Sequence, residues 1–164
     1  TCAMLRAGLE AAGHRVHVFT SPHLVRFNER IRIAGRLVED ALLADLLRRV
    51  REASGTIGPS FFEATTAAAF LAFAEHAADA CVTEVGLGGR LDATNVVEQP
   101  LVTGIAAIGR DHEQFLGSDI AGIAAEKAGI ARRGVPLVAL AQPPEAEAAF
   151  IRVAAERGAL LLLE

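Results

Sequence analysis

Lysine is nearly missing from this sequence of 164 residues: of 16 Lys and Arg residues, Lys127 is the only lysine. A chain that otherwise relies on arginine keeps, in that one primary amine, a group with chemistry a guanidinium lacks. A single leftover lysine can also sit anywhere. Cysteine is scarce too. Cys2 and Cys81 show no CxxC or other metal-ligand spacing, and Cys81 falls inside an expected strand. Buried thiols are therefore expected, in place of a disulfide or a zinc site. No apolar run reaches the length of a membrane span. No secretory leader is legible, because residue 1 is Thr and Arg6 and Glu10 interrupt the opening apolar segment. The expected location is the cytoplasm, with no membrane partner. Repeats, low-complexity tracts and linkers are missing as well. The net charge of −4 and pI near 5.7 argue against nucleic acid as the main partner.

What remains is an apolar chain, 52% hydrophobic with a mean hydropathy of +0.35. That is enough for one domain with a real core and too much for a disordered chain. Residues 3–12 read as a helix closed by Gly13, and residues 15–20 alternate around Val16 and Val18 as a strand does. Pro22 stops that strand. The segment 21–33 mixes apolar anchors with Arg26, Arg30 and Arg32, as a binding loop or a packed surface loop would. A helix over 39–53 carries Leu42, Leu43, Leu46, Leu47 and Val50 on one side. A Gly/Pro loop over 54–60 leads into an alanine-rich helix from Phe61 to about His76. Ala80, Cys81 and Val82 read as a buried strand, and 101–108 as another. A helix capped by Ser118 or Asp119 runs to Lys127 and stops at Gly129. A strand over 135–140, a helix over 144–157 and a strand over 159–163 complete the chain. Strands alternating with helices predict an α/β fold, a mostly parallel sheet with helices on both faces.

The stretch from Glu84 to Asn95 draws attention. A carboxylate sits where a strand ends, and Gly86, Gly88 and Gly89 follow it. Glycine lets backbone turn sharply and approach a ligand. Ligands of open α/β sheets lie beyond the carboxyl ends of the strands. An ordinary strand-to-loop turn with a solvated Glu has the same appearance. Three predicted strands end in possible ligands: Ser21, Glu84 and His112. In a parallel sheet those ends share one edge. Hydroxyl and carboxylate oxygens suit Mg²⁺, whereas imidazole suits Mn²⁺ or Zn²⁺ equally. Asp111 either orients His112 or is solvated. Lys127, on the helix after His112, either points to that edge or forms an exposed pair with Glu126 near a helix end. Phe62, at a helix entrance, either stacks on a planar ligand or acts as a hydrophobic staple. Glu63 complements the helix dipole in either case.

The run Ser21-Pro22-His23-Leu24-Val25-Arg26-Phe27-Asn28-Glu29-Arg30, the pair Phe62-Glu63, the Glu84–Asn95 stretch, Asp111-His112 and Glu126-Lys127-Ala128-Gly129-Ile130 resemble folylpolyglutamate synthase/dihydrofolate synthase of the Mur ligase superfamily. The matching segments occur in the family's order. The resemblance implies a P-loop-type Mur ligase central domain, incomplete here. The enzyme so implied uses ATP to activate a pteroate or folate carboxylate as an acyl phosphate, which L-glutamate then attacks. ATP, dihydropteroate or folate, and L-glutamate are the implied partners, and the expected state is a monomer. By position, Ser21 and Glu84 would hold Mg²⁺, His112 a second ion, and Lys127 would be carbamylated. Glu84, His112 and Lys127 form the implied catalytic set. Ser60, Phe61, Phe62 and Glu63, with Leu91, Asp92 and Ala93, match the pterin pocket. There Phe62 would stack on the ring and Asp92 would accept its N–H groups.

Two departures stand beside the matches. The family's phosphate loop, of GxxGKG[ST] type, would end just before Thr1, leaving Thr1 at the edge of a missing cofactor-binding loop. The C-terminal domain is missing too. Residues 1–164 are therefore expected to be part of an ATPase domain, inactive alone. Another Mur-type ligase acting on a peptidoglycan precursor, and a non-catalytic pterin- or nucleotide-binding module, are the competing expectations.

Overall fold

Val16, His17, Val18 and Phe19 are all buried, so the first strand, β1 (Val16–Phe19), is the centre around which the N-terminal half assembles. The computed structural model describes residues 1–109 and 119–163. They divide into two units, Thr1–Gly86 and Leu87–Glu164.

The first unit contains α1 (Cys2–Ala11), β1, a single 3-10 turn (Phe27–Arg30), β2 (Ile31–Ile33), β3 (Arg36–Leu37), α2 (Asp40–Ser54), α3 (Phe61–Glu75) and β4 (Ala80–Thr83). Its sheet runs β3-β2-β1-β4. β1 and β4 are parallel, with Val16 opposite Ala80 and Phe19 opposite Thr83. β2 is antiparallel to β1, and β3 to β2. Residues 31–33, expected as the end of a loop, thus form one arm of a hairpin over residues 31–37. Ile31 and Ile33 alternate with Arg30 and Arg32, and the two-residue connection Ala34-Gly35 takes φ of 48° and 87°. Positive φ at both central positions is what a tight hairpin turn requires. Phe19 and Ile31 pack with Leu43 and Leu46 of α2 and with Ala68, Ala69 and Ala72 of α3. Leu42, Leu47 and Val50 flank that core, so the apolar side expected of this helix is the side it buries.

Polar groups in this core are paired. His17 Nδ1 accepts the Ala34 N–H (3.1 Å). Nε2 therefore carries the proton and donates to the His76 carbonyl (2.9 Å). The ring lies flat on Phe73, with centroids 4.6 Å apart.

The second unit contains β5 (Thr103–Ile105), α4 (Ile120–Ala128), β6 (Pro136–Ala139), α5 (Pro144–Arg157) and β7 (Leu160–Leu163). Its sheet, β5-β6-β7, is parallel throughout. Ile105, Leu137, Ala124, Ala128 and Phe150 share one core. Asp119 caps α4 by accepting the N–H groups of Ala121 and Gly122, as one of the two expected caps should. α5 has the predicted limits, opening on Pro144 and closing at Gly158.

The α/β class and mostly parallel pairing are as expected. Among the described residues the strands form two sheets, one in each unit. Cys81 is exposed, contrary to expectation. Among the described residues β4 pairs on one side only, with β1. Among the described residues no helix is long and apolar enough to cross a membrane.

Candidate functional site

Parallel neighbours place their carboxyl ends side by side. Glu84, the first residue after β4, donates its N–H to the Phe19 carbonyl (2.9 Å) and so extends the ladder by one step. Ser21, two residues beyond β1, donates its N–H to Glu84 Oε2 (3.1 Å). Ser21 and Glu84 are both half-buried. Among the described residues, neither the Ser21 hydroxyl nor Glu84 Oε1 has a protein partner. A hydroxyl and a carboxylate with a spare oxygen are hard donors, which fit Mg²⁺ or Mn²⁺ completed by water and phosphate. No group of three His, Cys, Asp or Glu side chains gathers as a metal centre among the described residues. His112, Asp111 and Ser118 lie outside those residues.

The loop after Ser21 is held by its own carboxylate. The N–H groups of Leu24, Val25 and Arg26 all donate to Glu29, at 2.9, 3.2 and 2.8 Å. The Arg26 and Leu24 bonds lead in holding the Glu29 carboxyl below its usual range. Asn28 donates to the Val38 carbonyl and to Asp40, both at 2.8 Å. Arg30 is buried, donates through Nε to His23 Nδ1 (3.0 Å), and lies 5.6 Å from the ring centroids of both Phe27 and Phe61. Leu24 and Val25, at 91% and 84% exposure, form the loop's apolar tip.

At the entrance of α3, Ser60 and Glu63 form a capping box. Ser60 Oγ accepts the Glu63 N–H, and Glu63 Oε2 accepts the Ser60 N–H. Ser60 is the N-cap, which puts Phe62 at the second helical position. A hydrophobic staple belongs before the cap, so that reading fails. The Phe62 ring instead packs against the core and against Phe19, 5.7 Å away. It also fills the space over Gly86, where a Cβ would come within 2.7 Å of Cε1. Phe61 is the more exposed of the pair, at 64%. Thr1 stands exposed at the start of α1 without a side-chain cap bond.

In the second unit the glycine-rich turn closes on Asp92. Leu87 N–H donates to Oδ2 (2.8 Å), and the Thr94 N–H and hydroxyl donate to Oδ1 (2.9 and 2.6 Å). Leu91 beside it is 79% exposed and Ala93 half-buried. The turn also grips the end of α4. Arg90 donates its N–H to the Glu126 carbonyl (2.9 Å) and pairs with the Glu126 carboxylate (2.8 Å). Gly89 fits where a Cβ would stand 2.8 Å from Glu126 O and 2.9 Å from Lys127 O. Lys127, in the last turn of α4, is half-buried. Its amine has no partner among the described residues.

The structure thus brings Ser21 to Glu84, Ser60 to Glu63, and the Gly89–Asp92 turn to the helix end bearing Lys127. Three residues that sequence reading passed over matter to these arrangements: Glu29, Asn95 and Arg132. Only Glu29 left a signal, because it stands three residues after Arg26 at the start of a short turn, where a carboxylate reaches back to free N–H groups.

No protein-family model matches the chain. The dihydrofolate synthase/folylpolyglutamate synthase of Bacillus subtilis is 45% identical over 166 residues, covering 97% of this chain and 38% of the relative. Escherichia coli FolC in complex with DHPP and ADP has the same fold (TM-score 0.92, 39% identity, 99% of this chain and 38% of that one). A bifunctional folylpolyglutamate synthase/dihydrofolate synthase with Mn, AMPPNP and L-glutamate bound matches at TM-score 0.90 and 41% identity, over 99% of this chain and 39% of that one. The chain therefore spans less than half the length of the relatives it matches.

Proposed function

Because the chain belongs to the dihydrofolate synthase/folylpolyglutamate synthase family, we propose that it supplies the central part of an ATP-dependent ligase joining L-glutamate to dihydropteroate or folate. The observation that carries this reading is the meeting of Ser21 and Glu84 beyond the adjacent ends of β1 and β4. The relative bound to Mn, AMPPNP and L-glutamate supports a divalent ion, ATP and glutamate as reactants. The relative bound to DHPP and ADP supports a pteroate-type acceptor.

In this reaction the folate carboxylate takes the γ-phosphoryl group of ATP, giving an acyl phosphate and ADP. The glutamate amine attacks the acyl carbon, phosphate departs, a proton is lost, and an amide remains. Two anions must approach each other for the first step, and a divalent ion supplies the neutralising charge. Ser21 and Glu84 would hold that ion, and His112 a second. Glu84 is oriented for this by the Ser21 N–H on Oε2, leaving Oε1 for the ion. Lys127, once its ammonium has given up a proton, would attack the carbon of CO₂ through nitrogen and lose a second proton. The resulting carbamate exchanges a positive charge for a negative one. Phe61, Phe62, Asp92 and their neighbours would line the pterin pocket.

Lys127 gives the test. In the ligase carrying this chain, Lys127→Ala loses activity and partly regains it with added short carboxylates. Lys127→Arg stays inactive. Full activity of Lys127→Arg would remove the carbamate from the mechanism. The 164 residues alone, with no GxxGKG[ST] loop in their sequence, are expected to bind ATP weakly and to form no acyl phosphate.

A further inference from the structure

Arg132 has no carboxylate partner among the described residues, yet its guanidinium is fully engaged. Nε donates to the Val97 carbonyl (3.2 Å), Nη1 to the Ile130 and Ala131 carbonyls (both 3.2 Å), and Nη2 to the Asn95 carbonyl (2.9 Å) and Oδ1 (2.7 Å). Asn95, its side chain oriented by that last bond, turns its amide nitrogen to the Arg90 carbonyl (3.0 Å) and, more weakly, to the Gly129 carbonyl (3.4 Å). Arg90 in turn bonds Glu126 through both backbone and side chain. Gly129 packs so closely on Arg90 that a Cβ would sit 2.7 Å from the Arg90 Cα. The residues on either side of Lys127 are thus gripped by one network that starts at Arg132.

The geometry points to Arg132 and Asn95 as positioning residues for Lys127. They clamp the glycine-rich turn to the last turn of α4 and so fix where the single amine stands. Helix ends fray unless something outside the helix satisfies their carbonyls. Here the N–H groups of Gly129, Ile130 and Ala131 take the last carbonyls, and Arg90, held by Asn95 and Arg132, adds a bond to the Glu126 carbonyl from outside the helix. A guanidinium suits the task, because its planar fork offers five donors in fixed directions. The functional meaning rests on the reading of Lys127 as a working group of the ligase, whereas the clamp itself does not.

The test uses the 164-residue chain and the fact that it has two amines, Lys127 and the Thr1 terminus. An amine-acylating ester is applied at a temperature where circular dichroism shows each variant folded. Mass spectrometry reads the rate at Lys127 relative to that at Thr1. Arg132→Met and Asn95→Asp should raise this ratio several-fold. Asn95→Asp keeps an oxygen for Arg132 and loses the donor to Arg90, so it isolates the Asn95 link. Arg152→Met, which breaks the exposed α5 pair Arg152–Glu156, should leave the ratio unchanged. If Arg132→Met fails to fold, Asn95→Asp decides. An unchanged ratio in folded Asn95→Asp overturns the proposal. No ATP or folate enters the measurement, so its result is independent of whether the ligase reading stands.

Discussion

Gly86 and Phe62 occupy space that only one of them can fill. A Cβ on Gly86 would lie 2.7 and 2.8 Å from the ring carbons Cε1 and Cε2 of Phe62, well inside van der Waals contact. The glycine after Glu84 is thereby explained by packing as much as by turning. Gly86→Ala should destabilise the folded chain by about 1–3 kcal/mol, the usual cost of overpacking. Adding Phe62→Leu should recover part of that loss. Urea melts of the two single variants and the double variant give the coupling, and strict additivity would show that the two residues do not compete.

Asp79 sets an acid limit. Its carboxylate accepts the Arg15 N–H (2.8 Å) and the Arg15 side chain, and these bonds lower its pKa to about 2. The folded value lies below the ordinary value of 3.8. The pair's contribution is therefore present above that value and lost as pH falls through about 2. In Asp79→Asn the fall of melting temperature across this window should be shallower than in the parent. Parallel curves for the two proteins would remove Asp79 from the acid response.

His17 ties β1 to two other segments. His17→Phe keeps the ring against Phe73 but leaves the Ala34 N–H and the His76 carbonyl without their bonds. Both bonds are only partly buried, so a total loss of roughly 1–2 kcal/mol follows. Hydrogen exchange at Ala34 should accelerate in this variant, and protection equal to that of the parent would contradict the assignment.

The sequence made the helices legible where apolar spacing and punctuation agreed: α2 by its leucines, α5 between Pro144 and Gly158. It also showed that Ser21 and Glu84 end strands. Pairing was harder to read. The β2–β3 hairpin hides behind Arg26, Arg30 and Arg32, whose charges suggest a binding loop, and nothing local shows which strands pair with one another. Asn95 and Arg132 were illegible because their roles depend on backbone carbonyls, which carry no sequence signature. Composition singled out Lys127 as the only lysine, and the resemblance to the ligase family gave it a role. Only the coordinates show what holds the turn around it.

The most direct measurement is glutamate-dependent release of ADP from ATP with dihydropteroate and with tetrahydrofolate, by the full-length protein carrying this chain and by its Glu84→Gln variant. Glutamine keeps an acceptor for the Ser21 N–H and removes the charge that would hold the divalent ion. The parent should give ADP and amide product in equal amounts, and the variant should turn over at least about 100-fold more slowly, roughly 2.7 kcal/mol. Glu84→Gln turning over at the parent's rate, or ADP release indifferent to glutamate, would contradict the proposed function.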